Sequence, residues 1–333
     1  MRLRPLAIQG SPSKAFRAML REGPLPIHGI WGGTAHHAQL AEATGFKFFG
    51  ISGSNTSTHL LGLPDAGFLT QTELVENTRR ICQAVSIPVM VDCDTGFGNA
   101  INVVRTVDEI IRAGAASLFI EDQVAPKRCG FVKGKEMIPL EEAVGKYRAA
   151  CETRDALDPD FVIVARTDAR GAVGGGMDEV LRRGRAYLDA GIDMLYVEAL
   201  QSREEIGAVR QAFPKALLKI TPWAIDPPIS DAEMREYGMC VTGVHVARIG
   251  AILMHDFLLD YRRRGDDAYN EFAQRHKNHP LGGFGIFDMT GFPKVQELEQ
   301  RYLPPETLER YDRSLGVYDP RARGAVAGGK SGN

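Results

Sequence analysis

The 333-residue chain is too long for a small stapled module and long enough for one large barrel or two ordinary domains. Hydrophobic residues at 44% and charged residues at 25% fit a soluble globular protein, and 40 Lys plus Arg against 42 Asp plus Glu leave a net charge of -2. That balance gives no electrostatic case for nucleic acid or an anionic membrane surface as a partner, and no stretch approaches the roughly 20 apolar residues of a membrane span.

Short apolar runs recur along the chain, at 26–30, 46–51, 87–91, 116–120, 161–165, 194–197, 216–220 and 240–246. They are partly β-branched and end in Gly, Asp, Glu or Arg, as strands buried on both faces do. The stretches between them carry helical periods. Val103, Val107, Ile110 and Ile111 recur at three to four residues, and Val180, Leu181, Ala186 and Leu188 do much the same. Ala113-Gly114 and Ala190-Gly191 read as C-terminal glycine caps. Eight strands alternating with helices predict an α/β fold, a (β/α)8 TIM-type barrel. An open doubly wound sheet is the alternative, but no strand-turn-helix carries a GxGxxG fingerprint. Residues 1–320 read as a single domain with C-terminal helices, and 321–333 as a flexible Gly-rich tail. Five cysteines without a CxxC pair suggest neither a disulfide framework nor a zinc site. With no signal-peptide core after Met1, a reducing, cytoplasmic setting is expected.

A barrel of this kind works at the C-terminal ends of its strands. There stand Ser52-Gly53-Ser54 and Asp65 after strand 2, and Asp92-Cys93-Asp94 after strand 3. Strand 4 ends in Glu121 and leads to Lys127-Arg128-Cys129-Gly130; strand 5 ends in Arg166, strand 6 in Glu198. Asp92 and Asp94, two apart on an extended segment, can point the same way. With Glu121 they make three carboxylates, and a hard divalent cation, Mg2+ or Mn2+, offsets their repulsion. The bland alternative is solvated loop acids or ion-pair partners of Arg166. Ser52-Gly53-Ser54 offers N–H groups and hydroxyls to a carboxylate or phosphonate, or simply satisfies its own turn. Cys129 follows two cations, which favour a thiolate and depress its pKa; otherwise it is a small buried hydrophobe. Cys93 is expected to face away from the two acids. His245 lies near the end of strand 8, within reach of the site.

Several strings together resemble the isocitrate lyase / phosphoenolpyruvate mutase superfamily. They are Ser-Gly-Ser (52–54) followed by Gly-Leu-Pro-Asp (62–65), and Asp-Cys-Asp-Thr-Gly-Phe-Gly-Asn (92–99). Glu-Asp-Gln (121–123) with Pro-Lys-Arg-Cys-Gly (126–130), and Ala-Arg-Thr-Asp-Ala (165–169), complete them. The resemblance runs from about residue 26 to 303. It implies a barrel whose eighth helix swaps between subunits, in a homotetramer built as a dimer of dimers. It implies Mg2+ held by Asp94, with Asp92 and Glu121 helping through water. Substrate oxygens would be gripped by Ser52, Gly53, Ser54, Asp65 and Arg166, and Cys129 would ride a mobile gating loop with Lys127, Arg128 and Gly130 around it.

Lys-Arg-Cys-Gly is similar to the carbon–carbon lyase branch, the methylisocitrate and dimethylmalate lyases, where the cysteine is the acid/base. Carboxyphosphonoenolpyruvate mutases share that string, so a phosphonate-pathway mutase or related P–C enzyme is the alternative; a keto-acid decarboxylase or hydrolase and a non-catalytic binding barrel follow. For a lyase, Mg2+ and Arg166 would hold the charge of the keto-acid half, Cys129 would protonate the leaving carbanion, and Glu198 or a site water would take the hydroxyl proton. The chain departs from the lyases at several positions. Phe131 stands where they usually carry His. Lys219-Ile220-Thr221-Pro222-Trp223 replaces their Asn-Ile-Thr-Glu string, Gly243-Val244-His245-Val246 their Tyr-Pro-Leu-Ser-like string, and Ile30-Trp31-Gly32-Gly33 a segment with Asp. These changes predict a less polar second half of the site than tricarboxylate lyases have, or a changed reaction.

Overall fold

The structure is a computed structural model and describes residues 10–23, 25–221 and 225–318. The expected tail at 321–333 lies outside them, as do Pro222 and Trp223. The chain divides into two compact units, Ala7–Ile249 and a second that starts at Gly250.

In the first unit each of the eight apolar runs overlaps a strand. They are β1 (Ile27–Gly32), β2 (Phe49–Ile51), β3 (Val89–Asp92), β4 (Ser117–Glu121), β5 (Val162–Thr167), β6 (Met194–Val197), β7 (Leu217–Ile220) and β8 (Met239–His245). All pair in parallel in chain order, and β8 closes on β1. The fold is therefore the expected (β/α)8 barrel and not an open sheet. Helices α1 (Pro12–Glu22), α2 (Ala35–Ala43), α3 (Gln71–Ala84), α4 (Ala100–Ala113), α5 (Leu140–Leu157), α6 (Met177–Asp189), α7 (Arg203–Ala212) and α8 (Asp231–Glu236) accompany the strands. In α4 the periodic Val103, Val107 and Ile110 are buried. Asn99 caps its start, and Gly114 ends it at φ 96°, a left-handed backbone that glycine adopts without a Cβ clash.

Two apolar clusters result. The outer one lies between strands and helices and includes Cys93, which does face away from its acidic neighbours. The inner one fills the barrel with Trp31, Phe48, Met90, Phe119, Met194 and Tyr196, and it includes Phe16 and Leu20 of α1. Phe16 stacks on Phe48 at 5.2 Å, so α1 plugs the end of the barrel opposite the strand C-termini. Arg17 pins the plug by donating to the carbonyls of Asp160 (2.9 Å) and Phe161 (2.8 Å) and to Asp193 Oδ1 (2.8 Å).

The second unit holds helices Asp266–Arg275, Gly285–Thr290, Phe292–Tyr302 and Pro305–Asp312, and Val246–Arg264 runs across the boundary at Gly250. Phe284, Phe287, Phe292 and Tyr318 form its ring cluster. No helix among the described residues is long and apolar enough to cross a membrane.

Large rings fit inside the barrel because facing positions are glycine. A Cβ on Gly50 would lie 2.3 Å from the Trp31 ring, and one on Gly29 would lie 2.1 Å from the Phe48 ring. Gly50→Ala is expected to lower stability by about 1–3 kcal/mol through overpacking, read as a lower urea midpoint at unchanged slope.

Candidate active site

Register decides what faces the barrel mouth. Glu121 pairs with Arg166, Arg166 with Tyr196, and Tyr196 with Lys219. Residues opposite one another in a parallel sheet share a face, so these four form one inward row. Arg166, Tyr196 and Lys219 line a cavity at the C-terminal ends of the strands. Trp31, Ser52, Ser54, Asp65, Asp92, Phe119, Cys129, Gly130, Phe131, Glu198 and His245 line it with them.

Arg166 is held from several sides. Its Nε and Nη2 each donate to Asp168 at 3.0 Å, a bidentate pair. Its Nη1 lies 3.3 Å from Glu121 and its Nε 3.9 Å from Glu198. Glu198 Oε2 accepts from the Tyr196 hydroxyl and, at 3.0 Å, from Thr221.

Asp92 ends β3, but Asp94 does not continue an extended segment as expected. It has φ 47°, in the left-handed region that Asp tolerates better than most residues. The turn nonetheless brings both acids to one place: a Cβ on Gly53 would lie 3.0 Å from Asp92 Oδ2 and 3.0 Å from Asp94 Oδ1. Asp92 accepts from the N–H groups of Gly53 (3.0 Å) and Asp94 (3.2 Å). Asp94 Oδ1 is 2.8 Å from Lys127 Nζ without an aligned hydrogen bond, and both oxygens of Glu121 are buried without a donor. Burial pushes the Asp94 pKa up to about 6, and burial also raises that of Glu121.

Among the described residues no three side chains close on a single metal point. Mg2+ usually keeps several waters and takes one or two carboxylates, so a closed cage is not required. Asp94 Oδ1 and the two Glu121 oxygens, buried beside Lys127 and Arg166 without an aligned hydrogen bond, fit such an ion. So does the chemistry of the cluster: among the described residues Asp65, Asp92, Asp94, Glu121, Asp168 and Glu198 gather around Lys127, Lys135, Arg166 and Lys219, more acids than cations.

The loop after β4 is folded onto this cluster. Lys127 pairs with Asp65 as well as Asp94. The Cys129 N–H donates to the Asp65 carbonyl at 3.2 Å. Gly130 packs so closely that a Cβ there would lie 2.6 Å from Arg166 and 2.7 Å from Glu198, and Lys135 donates to its carbonyl. One expectation is corrected. The Cys129 thiol is pushed up, not down, because burial outweighs its cationic neighbours. Lys127 is already engaged by carboxylates, and Arg128 is exposed, linked to Gln123 through its backbone. Of the predicted set, Gly53, Asp94, Glu121 and Lys127 do not line the cavity themselves but touch residues that do, whereas the Arg128 side chain is exposed. Ser52 and Ser54, 3.1 Å apart through their hydroxyls, face it, while the Gly53 N–H is directed at Asp92. His245 lines it too, 3.2 Å from Asn55 and stacked on Trp31; burial, helped by Lys219, lowers its pKa to about 4, so it is neutral.

Sequence reasoning missed Asp168, Tyr196 and Lys219 as site residues. Asp168 repeats at i+2 from Arg166, and Lys219 interrupts an apolar strand; both were available signals. Titration of the protein with Mn2+, followed by electron paramagnetic resonance, is expected to show one site. Asp94→Asn should weaken it at least about tenfold; undiminished uptake in that variant would remove Asp94 as a ligand.

The family model for phosphoenolpyruvate phosphomutase matches residues 16–256. The chain is 37% identical over 273 residues to 2,3-dimethylmalate lyase of Eubacterium barkeri, covering 80% of this chain and 91% of that one. It is 43% identical over 232 residues to 2-methylisocitrate lyase of Escherichia coli (strain K12), covering 68% and 75%. A solved phosphonopyruvate hydrolase in complex with oxalate and Mg2+ superposes with a TM-score of 0.77 at 31% identity, covering 89% of this chain and 100% of that one. Barrel topology, strand-end acids and these relationships agree, and the chain belongs to the phosphoenolpyruvate mutase / isocitrate lyase superfamily of enzymes.

Proposed function

We propose that the protein is a Mg2+-dependent carbon–carbon lyase. It cleaves a 2-hydroxy acid of the substituted-malate or isocitrate type to an α-keto acid and a carboxylate, with Cys129 as acid/base. The observation that carries this reading is the thiol's position: its loop delivers Cys129 into the cavity that holds Arg166 and Glu198.

Bound between Asp94, Asp92 and Glu121, Mg2+ would supply Lewis-acid stabilisation of negative charge on the keto-acid half. Ser52, Ser54 and Asp65 line the same side, where the two hydroxyls can donate to a carboxylate. Arg166, fixed by Asp168, adds a positive charge that needs no reorganisation during the reaction. Glu198 has Oε2 occupied by Tyr196 and Thr221, which leaves Oε1 to take the hydroxyl proton. The carbon–carbon electron pair then passes to the departing carboxylate as a carbanion. Cys129 donates its proton there; a thiol kept protonated by burial suits an acid. Gly130, packed on Arg166 and Glu198 and tied to Lys135, holds the Cys129 loop against the site.

The swapped helix and homotetramer belong to the same proposal, as does a cytoplasmic location. Ile252, Leu253, Met254, Leu258 and Leu259 are exposed along the helix Val246–Arg264 and are the surface such an exchange would cover. Light scattering on the eluted protein is expected to give four chain masses; one chain mass would exclude the exchange.

Keto-acid release from a panel of substituted malates and methylisocitrates tests the reaction. Cys129→Ser is expected to lower kcat by about 10²–10⁴-fold while oxalate still binds. Full turnover in that variant would take the thiol out of the mechanism. Phosphorus NMR showing P–C rearrangement of phosphonopyruvate would replace the lyase with a mutase.

A further inference from the structure

Lys219 is a lysine in the middle of an apolar strand. It lies in β7 between Leu218 and Ile220, is 7% exposed, and lines the cavity. Its ammonium sits 3.5 Å from the centre of the Tyr196 ring and 5.1 Å from that of Trp31. Among the described residues it makes no hydrogen bond and has no carboxylate at ion-pair distance. Cation–π contacts compensate part of a cation's lost hydration, yet an ammonium with three unused donors in a buried cavity still calls for an oxygen acceptor.

The cavity is asymmetric around this lysine. Asp92, Glu121 and Arg166 come from β3, β4 and β5, the charge-dense side. Lys219, His245 and Trp31 come from β7, β8 and β1, which are neighbours in the closed barrel. His245 is neutral there, and Trp31, Tyr196 and Phe119 make the surrounding surface aromatic. Among the described residues Lys219 is thus the single cation of that wall. Burial lowers its pKa, Glu198 and Asp92 raise it, and the resulting value of about 8 leaves it protonated at neutral pH.

We propose that Lys219 is a specificity-determining residue: its ammonium binds the one carboxylate of the substrate that lies beyond the keto-acid half. This inference rests on the lyase reading. It makes the substrate a compact dicarboxylate, a malate with small apolar substituents against the Trp31 and Phe119 rings. A tricarboxylate would leave its third carboxylate against aromatic surface without a partner, a costly burial.

Calorimetry in the presence of Mg2+ separates the two levels of the argument. Oxalate occupies the keto-acid half alone, whereas malate spans both halves. Lys219→Met preserves length and apolar packing while removing the charge. It is expected to weaken malate binding at least roughly 30-fold and to leave oxalate within about twofold, because only malate loses a buried charged partner. In turnover the variant should raise KM for dicarboxylates more than it lowers kcat. Unchanged malate affinity with intact oxalate binding would overturn the role of Lys219 and leave the lyase reading standing. Failure of the wild-type protein to bind oxalate would overturn both. A borohydride-trapped pyruvate adduct on Lys219 would make it a covalent nucleophile and overturn the anchor.

Discussion

A buried guanidinium organises the mouth of this barrel. Arg166 is only 7% exposed, and three carboxylates from β4, β5 and β6 surround it. Such an arrangement is an uncertain gain in stability, because desolvating the charges opposes their attraction. Removing one partner, however, costs about 3–5 kcal/mol. The geometry is thereby made unique even if it adds little to the stability of the fold. Asp168 fixes the guanidinium plane, and Asp122 in turn fixes Asp168. Its carboxylate accepts from the Asp168 N–H at 3.0 Å, Thr167 at 2.8 Å and Tyr187 at 2.7 Å. Adjacent residues thus divide the labour: Glu121 at the end of β4 points into the mouth, and Asp122, the residue after it, outward to the helices, continuing the alternation of the strand.

The remaining groups are arranged against their own local preferences. Asp94 and Ala199, which flank the mouth from β3 and β6, both have positive φ. Conformations of that kind cost of order 1–3 kcal/mol each and persist where surrounding packing over-determines them. Gathering several buried carboxylates at the mouth is a further cost. Both concentrate at the same rim, while the opposite end of the barrel is plugged by the ordinary apolar contacts of Phe16 and Leu20. Stability is supplied at one end and reactivity at the other, the division expected of this fold.

The fold was legible because strands buried on both faces leave continuous apolar runs, and eight such runs survive in the composition of this chain. The acids were legible for a related reason: a charged residue at the end of such a run needs a special environment. What sequence alone did not convey was depth and register. Cys129 stands beside two cations in the chain, but one is held by carboxylates and the other faces solvent, so burial decides the direction of its pKa. Lys219 reads as an interruption of a strand until the pairing of β6 with β7 sets it against Tyr196. Asp94 follows a strand in sequence but acquires its direction from a left-handed turn, which nothing in an Asp-Cys-Asp spacing encodes.

The two halves of the cavity differ in what can change without loss of chemistry. On the β3–β5 side every charged group touches another, so a substitution there disturbs the clustered acids, Arg166 and the loop of Cys129 together. On the β7–β1 side the contacts are aromatic faces, one neutral imidazole, one ammonium without an oxygen partner and the Thr221 hydroxyl that donates to Glu198. Tyr196 and Thr221 link this side to Glu198, but among the described residues no ion pair does, so substitutions here couple less strongly to the acids. Departures from the lyase-like strings gather on that side at Trp31, Lys219 and His245, with Phe131 beside Cys129 the exception, while the acids, Arg166 and Cys129 keep them. A barrel that sets an arc of acids and arginine against an arc of aromatic rings with one lysine can therefore vary the second arc while the charge network of the first stays intact.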